Sequence, residues 1–152
     1  MALKEKLQND LTEAMRARDE VRSSTIRMVL TAIKNEEVSG KEARDLSDAE
    51  VITVLSREAK KRREAAEAFE QAGAKDRADN EKAEGVIIVG YLPEQLSEAE
   101  LKEMIASAIK ETGATGPQQM GLVMKSIQPK IAGRADGGTV SSLVKAALSG
   151  GN

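Results

Sequence analysis

The sequence predicts an all-α protein: an N-terminal bundle of about four helices, followed by a small C-terminal three-helix domain. Three observations carry this. The composition is charged and aliphatic, with 32% charged residues, one Phe, one Tyr and no Trp, whereas strands draw on aromatic and β-branched runs. Apolar residues recur at three- and four-residue spacing along most of the chain, the period of one helix face. Two S-x-x-E sequences, at Ser47/Glu50 and Ser97/Glu100, stand immediately before such series, where capping boxes stand.

The elements follow in order. Leu3, Leu7, Leu11, Ala14 and Met15 share one face of a first helix. Asp19 is placed to cap a second, whose apolar face carries Ile26, Val29, Leu30 and Ile33. The stretch "NEEVSGKEARD" interrupts the pattern and reads as an exposed connection around Gly40. Leu46 then offers a hydrophobic staple beside the first capping box. Val51, Leu55, Ala59, Ala66 and Phe69 define a long helix reaching about Ala72, ended by Gly73. A fourth helix is expected over about 76–91 and is stopped by Pro93. Its "VIIV" run alone would suit a strand, but no partner strand is in view. These helices make a first domain over 1–92.

A second domain is expected over 97–152. Leu101, Met104, Ile105, Ala108 and Ile109 mark its first helix, which turns at Gly113. Pro117 is tolerated in the first turn of the next, whose face carries Met120, Val123, Met124 and Ile127. A last short helix carries Val140, Leu143, Val144, Ala147 and Leu148, and Gly150 ends it.

The chain contains no Cys and no His. Zinc sites built on those ligands are thereby excluded, as are Ser-His-Asp and Cys-His nucleophiles. No EF-hand spacing occurs, so neither a metal nor a cofactor is expected. Carboxylates are plentiful, as in "NEEV" and "EKAE", and read as exposed helix surface. The start, "MALKEKLQNDL", is charged and amphipathic; no signal peptide, no membrane span and a cytoplasmic location are the expectations.

The stretch "AGRADGGTV", residues 132–140, has glycines at the spacing of a phosphate-binding loop. It lacks the lysine such a loop needs, and the segment before it has a helical period. It reads instead as a corner between two helices, with Gly133 past one end and Asp136 or Thr139 capping the next. Around it the charge changes. The net charge of the whole chain is -2, yet from residue 115 onward Lys125, Lys130, Arg134 and Lys145 face a single acid, Asp136. These four are the candidate nucleic-acid contacts, since no global basic field exists. Ser142 and Lys145 also form an S-x-x-K pair, discounted because its companion motifs are missing.

In "REAKKRREAAEAF" most charges fall on a solvent face, where Lys60 and Arg63 each have a Glu four residues on. Arg62 instead falls on the apolar side between Leu55, Ala66 and Phe69, which calls for a carboxylate partner from the N-terminal half. Tyr91 and Pro93 are assigned to the hinge between the two helical parts.

With these residues in place the chain resembles the GatB/YqeY family, small helical proteins similar to the tail of the B subunit of the glutamine-dependent tRNA amidotransferase. The resemblance covers almost the whole chain. "STIRMVLTAIKNEEV" (24–38), "YLPEQLSEAEL" (91–101) and "MGLVMKSIQPKIAGRADGGTVSSLVKAAL" (120–148) carry it. One departure stands out: the family's "AGR-x-DL" has Ala74 in place of its arginine and Arg77 in place of its leucine. The resemblance implies tRNA, an aminoacyl-tRNA synthetase or amidotransferase components as partners. It also brings a label of carbon–nitrogen ligase activity with glutamine as amide donor. The residues themselves offer no nucleophile, metal ligands or ammonia-producing site for that label. Three expectations result: a tRNA-binding module without catalysis of its own, a protein–protein adaptor, and an amidating enzyme.

Overall fold

The structure, a computed structural model, describes residues 2–150. Among these residues the chain forms seven α-helices, one 3-10 turn and no strand. The helices are α1 (Leu3–Arg16), α2 (Glu20–Glu37), α3 (Asp48–Gln71), α4 (Lys75–Val89), α5 (Glu98–Thr112), α6 (Met120–Ile131) and α7 (Gly137–Leu148), with the 3-10 turn at Pro117–Gln119. They fall into two compact units, Met1–Pro93 and Glu94–Asn152.

The first unit packs α1 on α2 and α3 on α4. Its core joins Leu7, Ile26, Val29, Ile33, Val51, Val54, Leu55 and Ile88. Local chemistry sets the boundaries. Asp19 Oδ1 accepts from the Arg22 backbone N–H at 3.1 Å, starting α2. At α3 both halves of a capping box form: Glu50 N–H donates to Ser47 Oγ, and Ser47 N–H to Glu50 Oε2. The "VIIV" run lies inside α4, so its apolar residues serve a helix.

Three expectations fail here. In "EKAE", read as exposed surface, the Glu84 side chain is 13% exposed and pairs with Arg62. Met15 is half exposed, because one residue beyond Ala14 a helix has turned through about 100° and left the buried row. "NEEV" is not all exposed surface. α2 runs on to Glu37, which is 4% exposed. Glu37 continues the row of Val29 and Ile33 at four-residue spacing, and Lys4 Nζ from α1 donates to its carboxylate at 2.8 Å and 3.0 Å. The short hydrogen bonds hold the Glu37 carboxyl below the usual carboxylate range.

The second unit packs α5, α6 and α7 around Leu101, Ile105, Ala108, Ala114, Val123, Ile127, Ile131, Val140, Val144 and Leu148. Ser97 Oγ accepts from Glu100 N–H at the start of α5. Gly113 ends α5 in the left-handed conformation, φ 69°. Ala147, expected on the apolar face of α7, points to solvent, since Val140, Val144 and Leu148 already form the buried row.

Candidate functional site

The corner between α6 and α7 is built by short-range bonds. Gly133 takes φ 73°, a conformation open to glycine at little cost. Asp136 then caps α7, accepting from Thr139 N–H at 3.1 Å and from its hydroxyl at 3.0 Å. The corner also holds the segment that leads into α5. Leu96 N–H donates to Arg134 O at 2.9 Å, and Gln95 Nε2 to Gly133 O at 2.7 Å. Arg134 Nε donates in turn to Glu94 O at 2.9 Å. Its Nη1 reaches Lys130 O at 3.4 Å.

These contacts separate the four cations. Arg134 is half-buried and gives two of its five N–H donors to backbone carbonyls. Lys125, Lys130 and Lys145 are exposed, and no acid pairs with their ammonium groups among the described residues. Lys125 and Lys130 sit on α6, Lys145 on α7. Five residues apart on one helix, Lys125 and Lys130 point about 140° away from each other. The three present a spread of positive charge rather than a pocket.

In the first unit, Arg62 is buried at the α3–α4 contact. Its Nη1 donates to Glu58 Oε1 at 2.9 Å, one turn back on α3. Its Nε donates to Glu84 Oε2 at 3.4 Å, on α4. The Met28 sulfur lies 3.2 Å from Nη2. Glu58 belongs to the same 3-4-spaced row as Leu55 and Arg62, a signal in the sequence that pointed to it. Arg77, at the position of the departure from the family pattern, lies over the Phe69 ring at 5.9 Å.

Tyr91 follows α4 and donates from its hydroxyl to Asp10 Oδ2 on α1 at 2.5 Å. Lys6 stands over its ring at 5.3 Å, and Arg22 Nη2 lies 3.7 Å from the same Asp10 oxygen. Burial, and then the bond to Asp10, push the Tyr91 hydroxyl up to about 12. These contacts tie the end of α4 to α1 and α2. Pro93 closes the unit two residues later.

No group of three or more acidic side chains among the described residues is arranged to hold a metal ion. Among the described residues no helix is long and apolar enough to cross a membrane.

Residues 4–148 match the family described as Yqey-like protein. Curated relatives include "Altered inheritance of mitochondria protein 41, mitochondrial" of Lachancea thermotolerans, 30% identical over 145 residues, covering 93% of this chain and 76% of the relative. The protein of that name from Clavispora lusitaniae is 32% identical over 148 residues, covering 95% and 84%. The one from Pyrenophora tritici-repentis is 29% identical over 133 residues, covering 86% and 71%. Each is named as mitochondrial, and that finding overturns the expectation of a cytoplasmic location.

Proposed function

The chain belongs to the YqeY-like protein family, and on that premise we propose that it is a helical module that binds tRNA through phosphates and performs no chemistry of its own. The observation that carries this reading is the exposure of Lys125, Lys130 and Lys145 on α6 and α7, without acidic partners among the described residues. Exposed, unpaired ammonium groups attract a phosphate backbone and release its counterions, while carrying no base readout. The resemblance to the amidotransferase tail supplies the ligand class.

The test is salt-dependent tRNA binding by wild type and by the Lys125→Gln, Lys130→Gln, Lys145→Gln triple variant. Arg134 is left in place because it braces the corner. The variant is expected to bind more weakly, with the slope of log K against log salt reduced by about 1 for each lysine on a phosphate. No wild-type binding at low salt, or an unchanged slope, would refute the reading. An amide product from Glu-tRNA, ATP and glutamine would replace it with a catalytic one.

A second reading, a protein adaptor docking on a synthetase or amidotransferase complex, has one observation in its favour. Val86 is 73% exposed and Val89 40% exposed, beside a groove of about 550 Å³ between α3 and α4. This apolar surface differs from the one expected at Tyr91 and Leu92, which pack partly against the first core. Capture of a synthetase that survives nuclease and high salt would favour it.

A further inference from the structure

Two helices of the first unit end in the same backbone motif with different residues at its critical position. At the end of α3, Ala74 N–H donates to Phe69 O and Gly73 N–H to Glu70 O. Gly73 has φ 75°. At the end of α1, Asp19 N–H donates to Ala14 O and Arg18 N–H to Met15 O. The residue at φ 59° there is Arg18, the one non-glycine with positive φ among those described. The left-handed turn favours glycine, so an arginine in it sacrifices stability. Side chains kept at such a cost mark functional positions.

Arg18 is also unpaired. Most other arginines have partners: Arg22 has Asp10, Arg44 has Glu50, Arg57 has Glu36, Arg62 has Glu58, Arg77 has the Phe69 ring and Arg134 has carbonyls, while Arg16, in the last turn of α1, lies outside the concavity that Arg18 lines. Arg18 and Arg27 have no acid, ring or carbonyl partner among the described residues. Both line one open concavity of about 480 Å³, with Met15, Glu20, Ser23 and Ser24. The exposed Ser24 hydroxyl donates to Val21 O at 3.2 Å and is free to turn outward. Ser23 is buried and committed to Asp19 O at 2.8 Å.

We propose that the corner between α1 and α2 is a phosphate-binding site, in which Arg18 and Arg27 hold a phosphate group between them. Guanidinium forks match phosphate oxygens, and two of them on a concave surface outweigh the single carboxylate of the lining, Glu20. The site belongs to the first unit and does not depend on the lysines of the second. The phosphate belongs either to a small free ligand or to an RNA backbone.

The full chain is titrated with inorganic pyrophosphate at low salt. Separately, tRNA is titrated into the Lys125→Gln, Lys130→Gln, Lys145→Gln variant, which removes the other candidate contacts. Each titration is repeated with Arg18→Gly, Arg27→Gln and Glu20→Gln. Saturable binding is expected in at least one arm, weakened about tenfold by Arg18→Gly and by Arg27→Gln, and tightened by Glu20→Gln. Arg18→Gly is expected to raise Tm by about 2–6 °C while it weakens binding. Pyrophosphate binding identifies a small phosphate ligand, and tRNA binding without it identifies a backbone. Absence of binding in both arms overturns the proposal, as does full affinity in Arg18→Gly. Neither result bears on the lysines of α6 and α7.

Discussion

Among the described residues, the first unit buries polar side chains and the second does not. Ser23, Thr25, Glu37, Glu58 and Arg62 are the buried polar residues among those described, and all lie on α2 or α3. The second core is aliphatic throughout. Ser23 and Thr25 answer their hydroxyls locally, each donating to a carbonyl four residues back. Glu37 and Arg62 need partners from other helices. A buried charge is tolerated only when it is paired, so each pair penalises arrangements that separate its members. The first unit therefore fixes which helices meet partly through ion pairs. The second fixes its corner through glycine geometry and backbone hydrogen bonds, and leaves Lys125, Lys130 and Lys145 for solvent.

The most severe way to probe this contrast is Arg62→Ala. It strands Glu84 at the α3–α4 contact and leaves Glu58 with Lys61 alone, and urea denaturation should show a loss of about 3 kcal/mol. Replacing all three by apolar residues of similar volume should recover most of it; failure to recover would mean the charges do more than pair.

Ile127→Ala tests the second core by volume alone. A loss of about 3 kcal/mol is expected from the cavity, with little dependence on pH or salt. A strong salt dependence would refute the picture of a purely apolar interior.

Tyr91→Phe removes one hydrogen bond to a carboxylate and should cost about 1.5 kcal/mol near neutral pH. The sign of its pH dependence is fixed. The hydroxyl is held protonated in the fold, up to about 12, against about 10 in an unfolded chain. Its contribution is complete below about 10 and is lost as pH rises toward 12. Alkaline melting of the Phe variant should lack that component.

The smallest effect falls on the corner. Asp136→Ala unties Thr139 and should cost about 1 kcal/mol. If Tm does not move, the corner is held by Gly133 and the Arg134 bonds without its cap.

The all-α class, the caps at Asp19, Ser47 and Ser97, and the turns at Gly73 and Gly113 were legible because they depend on residues within four positions of one another; at the last helix Asp136 and Thr139 both stood as cap candidates, and the structure uses Asp136. So was the unusual placement of Arg62, from its position on an apolar row. The partners were not. Lys4 meets Glu37 across 33 residues, and Arg62 meets Glu84 across 22. Arg134 was read from its charge alone, and its Nε also reaches Glu94 O, 40 residues away.

By itself, then, the sequence determined where most helices start, the turns that end several of them and most of each apolar row. Those outcomes follow from the 3.6-residue period and from hydrogen bonds a few residues long. The tertiary structure alone decided which cation is answered and which is left to solvent: Arg62 is paired and Arg134 partly engaged, while Arg18, Arg27, Lys125, Lys130 and Lys145 remain available. The reason is physical. A side chain's charge is local, but its partner is set by which helices come together, and a periodicity of 3.6 residues specifies a face without naming its neighbour.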